Sequence, residues 1–368
     1  MICAGQSAFA VFPALAPGGA RVMNVGETMN EAARNRMIDC LRGGSALAVA
    51  LFHFNEPFPS LSDGYHRVVK WGWLGVSVFF VVSGFCIAAA RQKDDAISFW
   101  WRRLLRIFPS YWASVCVVLG AVALRVVTSG TNDVTVLPKD FVGWFYTLAA
   151  LTKPASNIAS VNWAYWSLGY ELAFYLVLGA LVLRRSGWAL IPFSLLTFFV
   201  RSYPFDQWGL FGLGVACYYF TSKQYWVAAI LGAICLAQNF MQLSWPVAVT
   251  GGLVGLLILF PPAVMHHSFF QPLRQVGLFS YSLYLIHVPI GCYLLLHYLP
   301  FKLDRGLGPS LLQDLLLLTG CVFAAYLFYR FAEKPTHNLA RRIRRRPTEE
   351  LAMPSQAETV SVLDGKDP

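Results

Sequence analysis

The chain has 368 residues, of which 57% are hydrophobic and only 13% charged, with 12 Trp and 28 Phe. A soluble domain carries about 25% charged residues, so this composition excludes an ordinary soluble globular protein and makes lipid the main solvent. The net charge of +10 does not point to nucleic acid. The basic residues stand in short segments between apolar runs and in one cluster, Arg341, Arg342, Arg344, Arg345 and Arg346. That is the positive-inside pattern of a polytopic membrane protein.

Residues 1–35 are rich in Ala, Gly and Pro without periodicity, and are expected to form a disordered extension. Their apolar part lacks a basic flank, so no signal peptide is expected. A membrane domain is expected over 36–335, followed by a basic and then polar cytoplasmic tail over 336–368. The fold class is all-α, a polytopic helix bundle of about ten transmembrane helices. The apolar runs lie near 38–55, 73–90, 107–128, 164–183, 187–201, 207–221, 225–242, 244–261, 276–298 and 311–331. Several fall short of the roughly 20 residues a straight crossing needs, and are expected to tilt, kink or shelter against neighbours. The segment 141–152 is too short to cross and reads as re-entrant or interfacial. With the N-terminus inside, most of the 29 Lys and Arg fall on the cytoplasmic side, which places both termini in the cytoplasm and the protein in the inner (plasma) membrane.

Arg42 and His53 bracket the first apolar run. Eleven steps at about 100° each bring both side chains back to one helix face, about 16 Å apart along the axis. Two ionisable groups on one face of a span suggest a polar path inside the bundle. The alternative is an arginine snorkelling to the headgroups and a histidine satisfied at the interface. In the second run, Gly75, Ser83 and Gly84 allow a neighbouring helix, or a ligand, to approach the backbone closely.

Arg102, Arg103 and Arg106 precede Pro109, which suits the first turn of a helix. Arg103 and Arg106 face the same way, and forked guanidiniums match phosphate oxygens. A positive-inside anchor is the other reading of these arginines. Glu171, inside the fourth run, is a carboxylate of the kind that marks function in a membrane, or else an interhelical structural bond. His287 stands in mid-span and is either a satisfied core residue or a catalytic one. The eight cysteines show no CxxC and no metal spacing, so neither a disulfide nor a metal site is expected.

Six segments in order resemble the acyltransferase 3 family of membrane acyltransferases. They are Asp39-Cys-Leu-Arg42-Gly43 with His53, Gly72-Trp-Leu-Gly75 through Ser83-Gly84-Phe85, and Phe99-Trp-Trp-Arg-Arg103-Leu-Leu-Arg106-Ile-Phe-Pro109. Then come Trp166-Ser167-Leu-Gly-Tyr-Glu171, Ser280-Tyr281-Ser-Leu-Tyr284-Leu-Ile-His287-Val-Pro289 and Glu333-Lys-Pro335. The resemblance implies O-acyl transfer, most commonly acetyl, from cytoplasmic acyl-CoA to a hydroxyl of an extracytoplasmic sugar or glycan, free or lipid-linked. It implies that Arg42 and His53 are required. Acyl-CoA is then a donor substrate and not a resident cofactor, and membrane lipid is the other partner. In this reading His53 is the base or a transient acyl carrier, and Glu171 orients His53 or the acceptor. Arg42, Arg103, Arg106 and Ser83 hold the donor. Fused members carry a C-terminal esterase-like domain absent from this sequence, so transfer is expected to finish within the membrane domain. A transporter or flippase for a sugar or lipid-linked substrate would also use buried charges. Such proteins often carry internal repeats, and the Arg42–His53 pattern has no second copy.

Overall fold

The computed structural model describes residues 25–57, 64–93, 96–181, 187–299 and 307–342. Among the described residues there is helix and no strand. The disorder expected over 1–35 lies outside the described residues as far as residue 24, and so does most of the tail. Helix α1 runs over Val25–Asn55, starting before the domain boundary expected at residue 36. It is followed by α2 (Gly64–Val69), α3 (Gly75–Lys93), α4 (Ala96–Ser129), α5 (Phe141–Leu148) and α6 (Trp166–Leu181). Next are α7 (Leu190–Phe199), α8 (Trp208–Thr221), α9 (Tyr225–Gln242), α10 (Trp245–Leu259), α11 (Gln271–Leu278) and α12 (Ser280–Ile286). A π-helix over His287–Leu295 continues into α13 (Leu296–Tyr298). The last elements are α14 (Leu307–Phe328), a second π-helix over Tyr329–Glu333, and α15 (Lys334–Arg342).

A helix stands near each of the ten expected spans, but the count of ten crossings does not follow from their lengths. Five described helices are long and apolar enough to cross a membrane: Met29–Asn55, Gly64–Gln92, Ile97–Ser129, Tyr225–Gln242 and Leu307–Arg342. A sixth follows if Ser268–Leu278 and Ser280–Tyr298, bent by 57° where they meet, form one broken span. By contrast α6, α7, α8 and α10 have 16, 10, 14 and 15 residues. At about 1.5 Å per residue none of these reaches the roughly 30 Å hydrocarbon thickness unaided. The segment read as too short to cross contains α5, eight residues capped by the Asp140 carboxylate, which accepts from Gly143 N–H at 2.7 Å.

Pro109 does not open a helix. It lies inside α4, which begins at Ala96, so Arg102, Arg103 and Arg106 sit on the helix itself and not in a preceding loop. A proline removes one intrahelical bond without ending a long helix that neighbours hold in place. Tyr111 Oη and Trp112 Nε1 of α4 donate to the Thr147 and Leu148 carbonyls, at 2.5 and 2.9 Å, and tie α5 alongside.

Two cores flank α1. One gathers α3, α6, α8 and α9 around Phe174, Trp208 and Phe211; the other gathers α1, α4, α12 and α14 around Phe54, Tyr111, Leu283 and Leu317. In lipid there is little hydrophobic drive for helices to associate, so close backbone approach carries the packing. The α3–α8 contact is the clearest case. A Cβ on Gly84 would strike the Phe211 carbonyl, and one on Gly214 would strike the Val81 carbonyl. Gly84 is therefore a packing residue; Phe80 and Val76 lie one and two turns before it on the same side of α3, and Ser83 about a quarter turn away.

Candidate active site

The site is built along α1. Its last turn presents His53, and one buried ring and three hydrogen bonds fix that end in place. Phe54 is fully buried. Asn55 Nδ2 donates to the Leu51 carbonyl at 2.9 Å and to Asp314 Oδ2 at 2.8 Å, and Tyr65 Oη donates to the same Asp314 oxygen at 2.5 Å. The helix end is thus clamped to α14 and α2, which limits the freedom of the imidazole.

His53 Nδ1 stands 3.0 Å from Glu56 Oε2. The carboxylate only accepts, so Nδ1 carries a proton, and in the neutral ring Nε2 is the nitrogen with the lone pair. This bond is the main reason the Glu56 carboxyl lies below the usual carboxylate range, against the opposing effect of burial. The His53 ring lies among Phe52, Trp163 and His287, with centroids 5.1, 6.2 and 5.4 Å away. It opens on a cavity of about 840 Å³ between α1, α3, α6 and α10. Three tryptophans, Trp73, Trp163 and Trp166, shape that cavity, and Ser77, Gln207, Gln242 and Ser244 add neutral polar groups. Aromatic walls with a few uncharged donors and acceptors suit a polar but uncharged ring better than an ion.

Arg42 lies eleven residues earlier on the same unbroken helix, about 16 Å from His53 along the axis. Arg103 and Arg106 of α4 share its electrostatic surroundings. All three lie within electrostatic reach of Cys86 on α3 and of His337 on α15. Arg103 also rests over the rings of Phe99 and Tyr175, at 5.6 and 5.7 Å. Among the described residues, no hydrogen bond or ion pair engages the guanidiniums of Arg42, Arg103 and Arg106. Three permanent charges on two helices without a bonded counter-ion form a cradle for an anion. Ser83 is half-buried on α3, three residues before Cys86, and so shares its side of the helix. Val76 and Phe80 of that face line the cavity. Ser83 therefore stands between the cavity and the arginines.

Glu171 is placed differently from expectation. Its Oε1 accepts from Tyr175 Oη at 2.5 Å, and its charge acts on Arg106 and Tyr281. It belongs to the arginine side of the path. The carboxylate bonded to His53 is Glu56, which the spacing of three residues at a helix end could have indicated. Glu333 joins the arginine side as well. It is buried, accepts from Ser282 N–H at 3.1 Å and Ser282 Oγ at 2.5 Å, and faces Arg106 and Arg42.

His53, Glu56 and His287 thus gather at one end of the path. Arg42, Arg103, Arg106, Glu171 and Glu333 gather at the other. A base with a free lone pair beside a roomy cavity can activate a hydroxyl. A cationic cradle some 16 Å away can hold phosphate while an extended arm reaches the base.

The acyltransferase domain family matches residues 35–330. The O-acetyltransferase OatA of Staphylococcus aureus is 33% identical over 89 residues, covering 22% of this chain and 13% of its own length. The acyltransferase MdmB of Streptomyces mycarofaciens is 32% identical over 146 residues, 37% of this chain and 36% of its own. The membrane-bound transacylase BcsY of Komagataeibacter xylinus is 25% identical over 306 residues, 70% of this chain and 72% of its own. The aligned part therefore spans only about an eighth of OatA, 13% of its length. No solved structure matches the chain. The family match runs from before Arg42 to beyond His287 and takes in both ends of the path, and the chain belongs to the acyltransferase 3 family of membrane acyltransferases.

Proposed function

We propose that the protein moves an acyl group, acetyl foremost, from cytoplasmic acyl-CoA to a hydroxyl of a sugar or glycan on the outer side of the inner membrane. One observation carries the reading. A histidine with a carboxylate on Nδ1 faces an aromatic cavity, and three arginines without a hydrogen-bonded counter-ion cluster about 16 Å away, Arg42 on the same helix and Arg103 and Arg106 on α4. The arginines hold the donor's phosphates, with Ser83 along its arm. The thioester then lies near His53. His53 Nε2 takes the proton of the acceptor hydroxyl, and that oxygen bonds to the thioester carbon. The carbon–sulfur bond breaks, and the proton passes to the departing thiolate. Glu56 holds the ring and favours its charged form in mid-reaction. Glu171, beside Arg106, orders the arginine cluster.

Full-length protein given acetyl-CoA labelled in the acetyl group should cleave the thioester, releasing acetate or passing label to added membrane glycans. A protein that binds acetyl-CoA and leaves it intact in the presence of total membrane glycan would overturn the reading. The asymmetry of Lys and Arg supports cytoplasmic termini. Reporter fusions at both termini should then read cytoplasmic, and a periplasmic signal at either would refute this orientation.

A further inference from the structure

Acyl transfer through His53 and Glu56 leaves His287 without a task. His287 is 1% exposed and opens the first π-helix. Such helices are rare and concentrate at functional sites. Its Nδ1 lies 2.9 Å from the Tyr284 carbonyl oxygen and 3.1 Å from that of Leu283. Carbonyls only accept, so the proton is on Nδ1 and the lone pair on Nε2. That Nε2 is buried and has no hydrogen-bond partner. The ring lies against His53, centroids 5.4 Å apart and planes inclined by 31°. An unsatisfied buried acceptor is destabilising. Its retention beside the reactive imidazole points to a step in which it is satisfied.

We propose that His287 is a positioning residue whose Nε2 accepts a hydrogen bond from His53 after that ring has taken the acceptor's proton. The inference rests on the reading of His53 as the base. No proton passes to His287. With its Nδ1 proton pinned by two carbonyls, charging Nε2 would bury a cation without a counter-ion. The hydroxyl proton goes to His53 and then to the thiolate, and His287 keeps the charged ring in place between those transfers. Few other groups compete for this role. Around His53, the turn after α1 supplies Glu56, and the π-helix supplies His287 and the thiol of Cys292, which reaches the His53 carbonyl at 3.7 Å. The cavity wall from α3, α6 and α10 adds no titratable side chain. Asp314 is engaged by Asn55 and Tyr65.

Two amides separate the nitrogens. His287→Asn keeps a donor where Nδ1 was and removes the acceptor at Nε2, whereas His287→Gln places an amide at the level of Nε2. Acetyl-CoA hydrolysis by the full chain in detergent, measured against pH, gives the readout. The Asn variant should lose turnover about tenfold or more and keep its donor affinity. The acid limb of its pH–rate profile should move down by about one unit, because the charged ring has lost an acceptor. The Gln variant should return the limb toward that of the parent. An Asn variant with parental turnover and profile overturns the inference and leaves His287 as a backbone cap. Should the Asn variant not fold, the Gln variant decides: a parental acid limb supports the inference, and a displaced one overturns it. His53→Ala, assayed alongside, separates the two readings. Turnover surviving that change removes the base itself and this inference with it, whereas a dead His53→Ala beside a parental His287→Asn removes the inference alone.

Discussion

The His53→Ala protein is expected to bind acyl-CoA and fail to use it. One imidazole acting as base contributes about 10²–10⁴-fold, so turnover should fall by that factor with donor affinity unchanged. The substitution should leave the fold intact. The imidazole lies at the cavity edge with 12% of its side chain exposed, and the helix end is held independently by buried Phe54 and the Asn55–Asp314 bond. Alanine is also a better helix former than histidine. Single-turnover assays with equilibrium donor binding check both halves. Near-parental turnover in a folded variant would make His53 a packing residue. Glu56→Gln gives a milder companion result. The Glu56 carboxyl is held low by its bond from His53, so the carboxylate charge is present above that lowered value and is lost only as pH falls through it. The amide carries no charge at any pH and favours the protonated ring less. Maximal turnover should fall, and the acid limb should move to lower pH.

Arg42→Ala is expected to show the opposite separation, with weak donor binding and a competent base. Losing one charge-assisted contact to phosphate costs about 1.5–3 kcal/mol, or one to two decades in affinity. Arg42→Lys should recover only part of that, because an ammonium is a point charge and cannot grip two oxygens as a planar fork does. Arg103 and Arg106 remain in the cradle and keep the loss below total. Titration with a non-hydrolysable acetyl-CoA analogue measures it. Unchanged affinity in Arg42→Ala would reduce Arg42 to a partner of Asp39, whose carboxylate lies within its electrostatic reach.

The two variants share one helix, and their distinct phenotypes depend on it being unbroken. An apolar run from Arg42 to His53 at a spacing of eleven was enough to read that helix and its common face, because helical periodicity is a local property. The arginines of α4 were legible as a group for the same reason. The origin of α4 was not: Pro109 reads as a helix start, and only the packing of α5 and Tyr281 against α4 explains why the helix runs through it.

Length, apolarity and charge therefore determined a helical membrane protein, and motif order determined its family. The pairing of side chains between helices was decided by tertiary structure. The spacing of three residues makes Glu56 a local candidate for His53, but nothing local says whether Glu171 reaches it as well. The answer comes from helix phase and depth, since α6 turns Glu171 toward Arg106 and Tyr175 while the end of α1 brings Glu56 back onto its own histidine. His287 shows the same limit. Its place beside His53 depends on a 57° break between α11 and α12 and on a π-helical register. Both are set by packing between segments more than two hundred residues apart, for which a single sequence holds no periodic signal.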